Sequence, residues 1–157
     1  MAFDPRKSKE ILAIMPQRPP FRFLDEIVEL NDDVIVGTYR FREDEYFYQG
    51  HFPGHPITPG VILIEAMAQT GVVAFGISLL MAQGVATDRI KKMATLFATA
   101  DNVEFASVVR PGERVIISGE KVYFRRGSLK TKVIMENEKG ESVCSGILSG
   151  KGVILNE

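Results

Sequence analysis

The sequence has very little of several residue types, and each shortage excludes a class of structure. Its 157 residues include one cysteine, two histidines and no tryptophan. The single Cys144 excludes an internal disulfide and a metal site built from several cysteines, and it fits a reducing compartment. The formal net charge of −1 gives no general attraction to nucleic acid or anionic lipid. The polar start, MAFDPRKSKE, predicts no secretory signal peptide.

The remaining composition is that of a soluble globular protein. Hydrophobic residues make up 45% of the chain and charged residues 25%, which argues against disorder. The length predicts one domain, covering residues 1–157, with enough apolar surface for a real core.

The order of patterns predicts a helix, two strands, a long helix and about four more strands. Lys7–Met15 predicts a short helix with Ser8 as its N-cap, ended by the prolines of PQRPP. Strands are predicted at residues 21–30, 33–41, 93–106, 113–126, 128–137 and 142–154. Alternation of apolar residues with lysines in residues 128–137 predicts one buried face. The consecutive hairpins favour a largely antiparallel sheet.

A long apolar stretch predicts the central helix. Pro59 or Gly60 opens it, it runs to about Gln83, and Gly84 suits its end. Because this helix is apolar nearly all round, it needs cover on more than one side. A strongly curved sheet wrapped around it would supply that cover, so the sequence predicts an α+β fold with one buried helix.

A membrane span is the alternative for the same stretch. Residues 61–82 are long enough to cross a bilayer of roughly 30 Å. However, the segment contains Glu65, Gln69, Thr70 and Ser78, and a charge within a span costs at least about 2.5 kcal/mol. The amphipathic strands also require a core helix, so the core assignment is favoured.

The helix and the loop before it contain a set of residues that suits acid–base chemistry. Glu65 and Gln69 are four residues apart and therefore share one helix face. The amides of Gly60 and Val61 lie at the helix N-terminus, where they can stabilise a developing oxyanion. The loop supplies His51 and His55, and imidazole is the side chain best suited to accept a proton near neutral pH.

Spacing alone leaves plainer roles open for these residues. A histidine beside proline and glycine is often a turn residue, and a buried glutamate paired with a glutamine is often structural. His51, His55 and Glu65 are also legitimate zinc ligands, although the intervening Phe-Pro-Gly argues against helical presentation of both histidines.

Residues 50–71, GHFPGHPITPGVILIEAMAQTG, resemble the signature of the (3R)-hydroxyacyl-acyl-carrier-protein dehydratases of bacterial fatty acid synthesis. The resemblance extends to ILAIMPQRPPFRFLDEIVEL, DNVEFASVVRPGERV, FRRGSLKTKV and GESVCSGIL, and so to roughly the whole chain. It implies a hot-dog fold, in which a curved antiparallel sheet wraps around one long central helix. It also implies conversion of (3R)-hydroxyacyl-acyl carrier protein to the trans-2-enoyl product, without a metal or other cofactor.

The resemblance assigns roles to individual residues. His51 matches the histidine that handles the C2 proton, and Glu65 matches the acid that protonates the departing 3-hydroxyl group. Gly60 matches the residue whose amide binds the thioester carbonyl, with the Val61 amide close by. The matches with supporting roles are Gln69 beside the acid, Phe52 and Pro53 shaping the pocket, and Pro59 at the helix entry. His55 falls where the family tolerates other residues, so the turn role is kept for it.

The resemblance also predicts the assembly and the partner. The protein is expected to be cytoplasmic and a homodimer, or a trimer of dimers, with the histidine and the acid of each site coming from different subunits. The partner is acyl carrier protein, an acidic protein for which Arg110, Arg125 and Arg126 are the docking candidates. The acyl chain is expected in an apolar tunnel lined by residues such as Phe52, Ile64, Val72 and Phe75.

Two departures from the family pattern and one match within it qualify the resemblance. Gln17 stands where the family usually has histidine, and Leu96 and Phe97 lie where many relatives have a gating tyrosine. Glu65, rather than the aspartate usual in isomerising relatives, points to the dehydratase branch. The alternatives that stay open are an acyl-CoA hydratase or thioesterase of the same fold, and a non-catalytic acyl-binding subunit.

Overall fold

The computed structural model describes residues 3–155 and confirms the predicted α+β class. The helices within these residues are α1 (Pro5–Ile14), α2 (Gly60–Ala82) and α3 (Thr87–Ile90). The strands are β1 (Glu26–Leu30), β2 (Val34–Arg40), β3 (Met93–Phe105), β4 (Arg114–Arg125), β5 (Ser128–Asn137) and β6 (Ser142–Ile154).

The six strands form one sheet in the order β1-β2-β4-β5-β6-β3, and each neighbouring pair is antiparallel. The central helix α2 packs across β2, β4, β5 and β6. β5 shows why the sheet has an inner and an outer face. Thr131, Val133 and Met135 are fully buried, whereas Lys132 between them is exposed.

Helix α2 is the core helix of the fold. It spans 23 residues, and 72% of its most apolar 18-residue stretch is buried. Phe75, Met67 and Gln69 are among the largest side chains that are fully enclosed. This helix, although long and apolar enough for a membrane span, therefore fills the space inside the curved sheet.

The middle of α2 departs from regular α-helix, a feature that the sequence pattern did not predict. Residues Gln69–Ala74 form a π-helical segment. Within it, Gly71 lies so close to β4 that a Cβ on Gly119 would stand 3.1 Å from the Gly71 Cα atom. Two facing glycines thus allow the helix and the sheet to approach with backbone nearly in contact.

The start of the first helix was predicted wrongly. α1 begins at Pro5, and the side chain of Asp4 caps it by accepting a hydrogen bond of 2.9 Å from the Arg6 amide. Ser8, the predicted cap, lies buried inside the helix. The reason is that aspartate is a strong N-cap and proline suits the first helical position, so the two together set the start.

The first strand is also shorter than predicted, beginning at Glu26 rather than Phe21. The Phe23 amide donates to the side chain of Gln69 on α2 instead of joining the sheet. The short helix α3 lies in a connector for which no element was predicted.

Strand β3 lies at one end of the sheet. One edge of β3 pairs with β6. Within residues 3–155, no strand pairs with its other edge. Leu96, Phe97 and Phe105 on this strand are about half exposed. The protein therefore presents a long, partly apolar strand edge, which soluble proteins normally cover.

Candidate active site

Glu65 lies in the second turn of α2 and opens onto a small pocket between the helix and β3. Its carboxyl group is half-buried. The pocket is lined by Gln17, Glu65, Ala68, Val72, Val73, Thr95, Phe97 and Ser149. Four of these eight side chains are apolar, so the carboxyl group stands between apolar and polar neighbours.

Gln69 fixes the position of this carboxyl group. Its Oε1 accepts a hydrogen bond of 2.6 Å from the Phe23 amide. Its Nε2 must then donate, and it does so to the Phe21 carbonyl at 2.9 Å and to Glu65 Oε2 at 2.8 Å. Gln69 is fully buried and its amide bonds to three partners, so it fixes the orientation of the Glu65 carboxyl group.

The surroundings of Glu65 favour its neutral form. Burial raises the pKa of Glu65 because the charged form loses solvation, while the hydrogen bond from Gln69 acts in the opposite direction and is the weaker influence. The second carboxyl oxygen stays available to the pocket. A carboxyl group whose pKa is raised beside an open pocket is better suited to act as a general acid than a solvated one.

His51 is arranged to accept a proton. Its Nδ1 lies 2.8 Å from the Ile57 carbonyl oxygen, which can only accept a hydrogen bond. Nδ1 must therefore carry the hydrogen, and in the neutral ring Nε2 keeps its lone pair. The ring stacks on Phe52, with 4.0 Å between ring centroids.

Three other residues singled out in the loop before α2 lie at the surface. Phe52 is half exposed, and Pro53 and His55 are exposed. The backbones of Phe52 and His55 exchange two hydrogen bonds, of 3.1 and 2.8 Å, which is the turn role considered for His55. No group of three or more histidine, cysteine, aspartate or glutamate side chains comes together within residues 3–155.

The N-terminus of α2 presents unpaired amides. Among the backbone hydrogen bonds of the described chain, neither the Gly60 nor the Val61 amide is a donor, as expected for the first turn of a helix. The Val61 side chain is 73% exposed. A Cβ atom on Gly60 would stand 2.9 Å from the Phe105 ring of β3, so only glycine fits without displacing that ring.

A second pocket, lined mostly by apolar side chains, adjoins the Glu65 pocket. Val72, Val73 and Thr95 line both spaces. Of the four residues predicted to line an acyl tunnel, Val72 lines both pockets. Phe75 is instead fully buried in the core, and Phe52 and Ile64 line neither space.

His51 and Glu65 do not meet within one chain around this pocket, because His51 is not among the residues that line it. The spacing in the sequence had indicated both His51 and Glu65 as candidate site residues. It missed Thr95 and Ser149, which line the pocket from β3 and β6 and carry no local signal beyond strand alternation.

The sheet wrapped around one helix, with a carboxyl group on that helix beside a pocket with an apolar lining, defines a hot-dog protein of the dehydratase and thioesterase class. Comparison of the sequence with known families identifies the family within this fold. A family model described as a FabA-like domain matches residues 15–146, and the chain belongs to this family.

Curated relatives agree with that assignment. The chain is 38% identical over 139 residues to a protein named 3-hydroxyacyl-[acyl-carrier-protein] dehydratase FabZ from Caldicellulosiruptor saccharolyticus, covering 88% of this chain and 92% of the relative. It is 43% identical over 119 residues to a protein of the same name from Geobacter metallireducens, covering 75% of each.

Solved structures share the fold. A chain of the dehydratase heterocomplex ApeI:P from Xenorhabdus doucetiae superposes with a TM-score of 0.75 at 15% identity, covering 99% of this chain and 94% of that one. A hypothetical thioesterase crystallised with coenzyme A, from Streptococcus pneumoniae, gives a TM-score of 0.53 at 16% identity, covering 84% and 88%. At these identities the likeness supports the hot-dog fold alone.

Proposed function

We infer that this protein is a dehydratase that converts (3R)-hydroxyacyl-acyl carrier protein to trans-2-enoyl-acyl carrier protein in fatty acid biosynthesis. The observation that carries this conclusion is the Glu65 carboxyl group, held by Gln69 in a small pocket beside a second pocket with an apolar lining. The apolar lining suits an alkyl chain, and the Glu65 pocket suits the carbon atoms near the thioester. The curated relatives named above carry the same activity in their names.

The chemistry is an elimination divided between a base and an acid. His51 Nε2 takes the proton from C2, and the electron pair of that C–H bond becomes the new C2–C3 double bond. The C3–O bond breaks, and the proton of Glu65 goes to the leaving oxygen, so that water departs. The amides of Gly60 and Val61 stabilise the negative charge that develops on the thioester oxygen.

Each site needs two copies of the chain. His51 does not line the pocket onto which Glu65 opens, so a second subunit must supply the base. The face for this pairing lies along β3, where an unpaired strand edge runs beside half-exposed Leu96 and Phe97. Phe97 also lines the Glu65 pocket, which brings that edge next to the acid.

The acyl group arrives attached to acyl carrier protein, which is acidic. Arg125 and Arg126 are exposed at the turn between β4 and β5, and the neighbouring Phe124 and Gly127 line the second pocket. These arginines, together with exposed Arg110, form the docking candidates. The protein works in the cytoplasm, where its carrier-bound substrate is made.

A direct assay tests the activity. Purified protein is mixed with 3-hydroxyacyl-acyl carrier protein, and the trans-2-enoyl thioester is followed by its ultraviolet absorbance and by mass. Conversion is expected at a chain length that fits the second pocket. Absence of product across a series of chain lengths contradicts the proposal and favours an acyl-binding subunit without activity.

Mixing variants tests the shared site. His51→Ala chains and Glu65→Gln chains are each expected to be inactive. If subunits are exchanged between them, the mixed dimer holds one site with both groups intact, so about a quarter to a half of the wild-type activity should return. Native mass spectrometry verifies the exchange, and verified mixed dimers without activity contradict the two-subunit site.

A further inference from the structure

The loop that carries His51 is closed at its base by two buried hydroxyl groups. Tyr48 Oη and Thr58 Oγ1 lie 2.6 Å apart and share a hydrogen bond. Both side chains are buried, and neither residue lines the Glu65 pocket. Burial raises the pKa of Tyr48 to about 12, because the charged form would lose solvation, so its hydroxyl keeps its proton in the neutral range. The elimination described above gives this pair no part.

Two further links cross the same loop nearer its tip. His51 Nδ1 donates to the Ile57 carbonyl at 2.8 Å, and the Ile57 amide donates to the His51 carbonyl at 2.9 Å. Beyond them, Phe52 and His55 exchange backbone hydrogen bonds. Of the three links, only the hydroxyl pair joins two buried side chains. It is therefore the link that ties the loop to the core.

One peptide unit connects the hydroxyl pair to the His51 ring. The Ile57 carbonyl and the Thr58 amide belong to the same planar peptide group. The amide donates to the Val109 carbonyl at 2.9 Å, and the Ile57 carbonyl accepts from His51 Nδ1. The Thr58 side chain is fixed by Tyr48. Any rotation of Thr58 would therefore turn the carbonyl that decides which ring nitrogen of His51 carries the hydrogen.

We propose that the Tyr48 hydroxyl is a positioning group for the base, acting through Thr58. It holds the Ile57 carbonyl in the place where this carbonyl accepts from His51 Nδ1. The hydrogen is thereby kept on Nδ1, and the lone pair of Nε2 stays directed toward C2 of the substrate. In this role neither hydroxyl contacts the substrate. This inference rests on the proposed function and adds an orienting element to the same site.

Three variants separate stability from turnover. Tyr48→Phe and Thr58→Val each leave one buried hydroxyl without a partner, so the melting temperature should fall by about 2–6 °C. The double variant leaves neither hydroxyl, so its melting temperature should return to within about 2 °C of the wild type. In all three variants kcat should nevertheless stay about 10- to 100-fold low, because the base is misplaced. KM should change by less than about twofold, since the lost interaction acts on the chemical step.

A purely structural role predicts a different result. In that case kcat would recover in the double variant together with the melting temperature, and such a recovery overturns the proposal. The matched controls are Tyr46→Phe, at an exposed tyrosine two residues before Tyr48, and Thr131→Val, at a buried threonine of β5. Neither control should change kcat by more than about twofold, because neither side chain contacts the His51 loop.

The tautomer of His51 gives a second test that needs no turnover. The chain has two histidines, so His55→Gln leaves His51 as the single imidazole in long-range ¹H–¹⁵N spectra of untagged protein. At about pH 8.5, where the ring is neutral, these spectra should show the hydrogen on Nδ1. Adding Tyr48→Phe should shift population toward hydrogen on Nε2, and an unchanged tautomer overturns the inference. If the wild type shows no turnover, the dehydratase function fails, whereas this spectrum still decides whether Tyr48 positions His51.

Discussion

Gln69 donates a hydrogen bond of 2.8 Å to the carboxyl group of Glu65, which lies one turn earlier on the same helix. The same amide also bonds to the backbone of Phe21 and Phe23. One buried side chain thus joins the central helix to the segment before β1 and orients the acid. In the proposed mechanism, stability and catalysis therefore depend on the same side chain.

Replacing that group should therefore destabilise the fold. In Gln69→Met the Phe23 amide and the Phe21 carbonyl lose their partner in a fully buried position, and each such loss costs about 1–3 kcal/mol. We expect the free energy of unfolding to fall by about 3 kcal/mol in urea denaturation. Gln83→Met, at the exposed end of the same helix, should change it by less than about 0.5 kcal/mol. Equal effects in the two variants would contradict this role.

Removing the acid should affect turnover far more than structure. Glu65→Gln keeps the shape of the side chain but has no proton to give to the leaving oxygen. We expect kcat to fall by about 10²–10⁴-fold, the usual contribution of general acid catalysis. Circular dichroism and the melting temperature should report an intact fold. Activity within tenfold of the wild type would rule out Glu65 as the acid.

The raised pKa of Glu65 predicts how stability depends on pH. Because burial raises the pKa in the folded protein above the unfolded value of about 4.3, the folded chain binds more protons in the window between the two values. The contribution of Glu65 to stability is therefore lost as the pH rises through this window. Urea midpoints of the wild type and Glu65→Gln, measured from about pH 4 to pH 8, should diverge in favour of the variant. A constant difference would contradict the shift.

Two glycines of the central helix should respond in opposite ways to alanine. A Cβ atom at Gly71 would stand 2.7 Å from a methyl group of Val133, so Gly71→Ala should destabilise by about 1–3 kcal/mol through overpacking. At Gly76 the nearest atom is 3.8 Å away, on Leu129, and the site is helical. Gly76→Ala should stabilise by about 0.5–1 kcal/mol. Thermal denaturation of both variants checks the contrast.

Charge on the free strand edge should separate subunits and abolish activity together. Leu96→Lys places an ammonium group on the half-exposed edge of β3, and lysine on an edge strand opposes pairing with another chain. We expect a monomer by light scattering and at least a 100-fold loss of turnover, in line with a site shared between chains. Val122→Lys, at an equally exposed position within the sheet on β4, should leave a dimeric, active protein. An active monomer would refute the shared site.

Much of the fold was predictable because its signals are local. The alternation along β5 reflects a strand with one buried face, and Val133 and Met135 are indeed fully buried. The start of α1 was missed because Asp4 and Ser8 are both good capping residues and lie about one turn apart; Pro5, as the first helical residue, favours Asp4. The π-helical segment carries no local signal; it contains Gly71, which packs against Gly119, far away in the sequence.

The residues of the candidate site also differ in whether a local sequence signal indicates them. His51, Glu65 and Gln69 lie within one continuous motif, so the sequence alone could single them out as candidates. The sequence presents Gln17 only as a departure from the family pattern. Its place in the pocket depends on how the segment after α1 lies against α2, which no local pattern indicates. Ser149 reaches the pocket through the order of the strands, which single-strand periodicity does not reveal.

The open edge of β3 also bears on how the chain behaves before it is assembled. Along this strand, 13 residues long, the backbone groups on one side are left without a strand partner. A newly synthesised copy can therefore pair through this edge with other extended polypeptides. Such aggregation competes with correct association. In the proposed dimer this edge would be covered, so a copy without its partner carries the greater risk of aggregation.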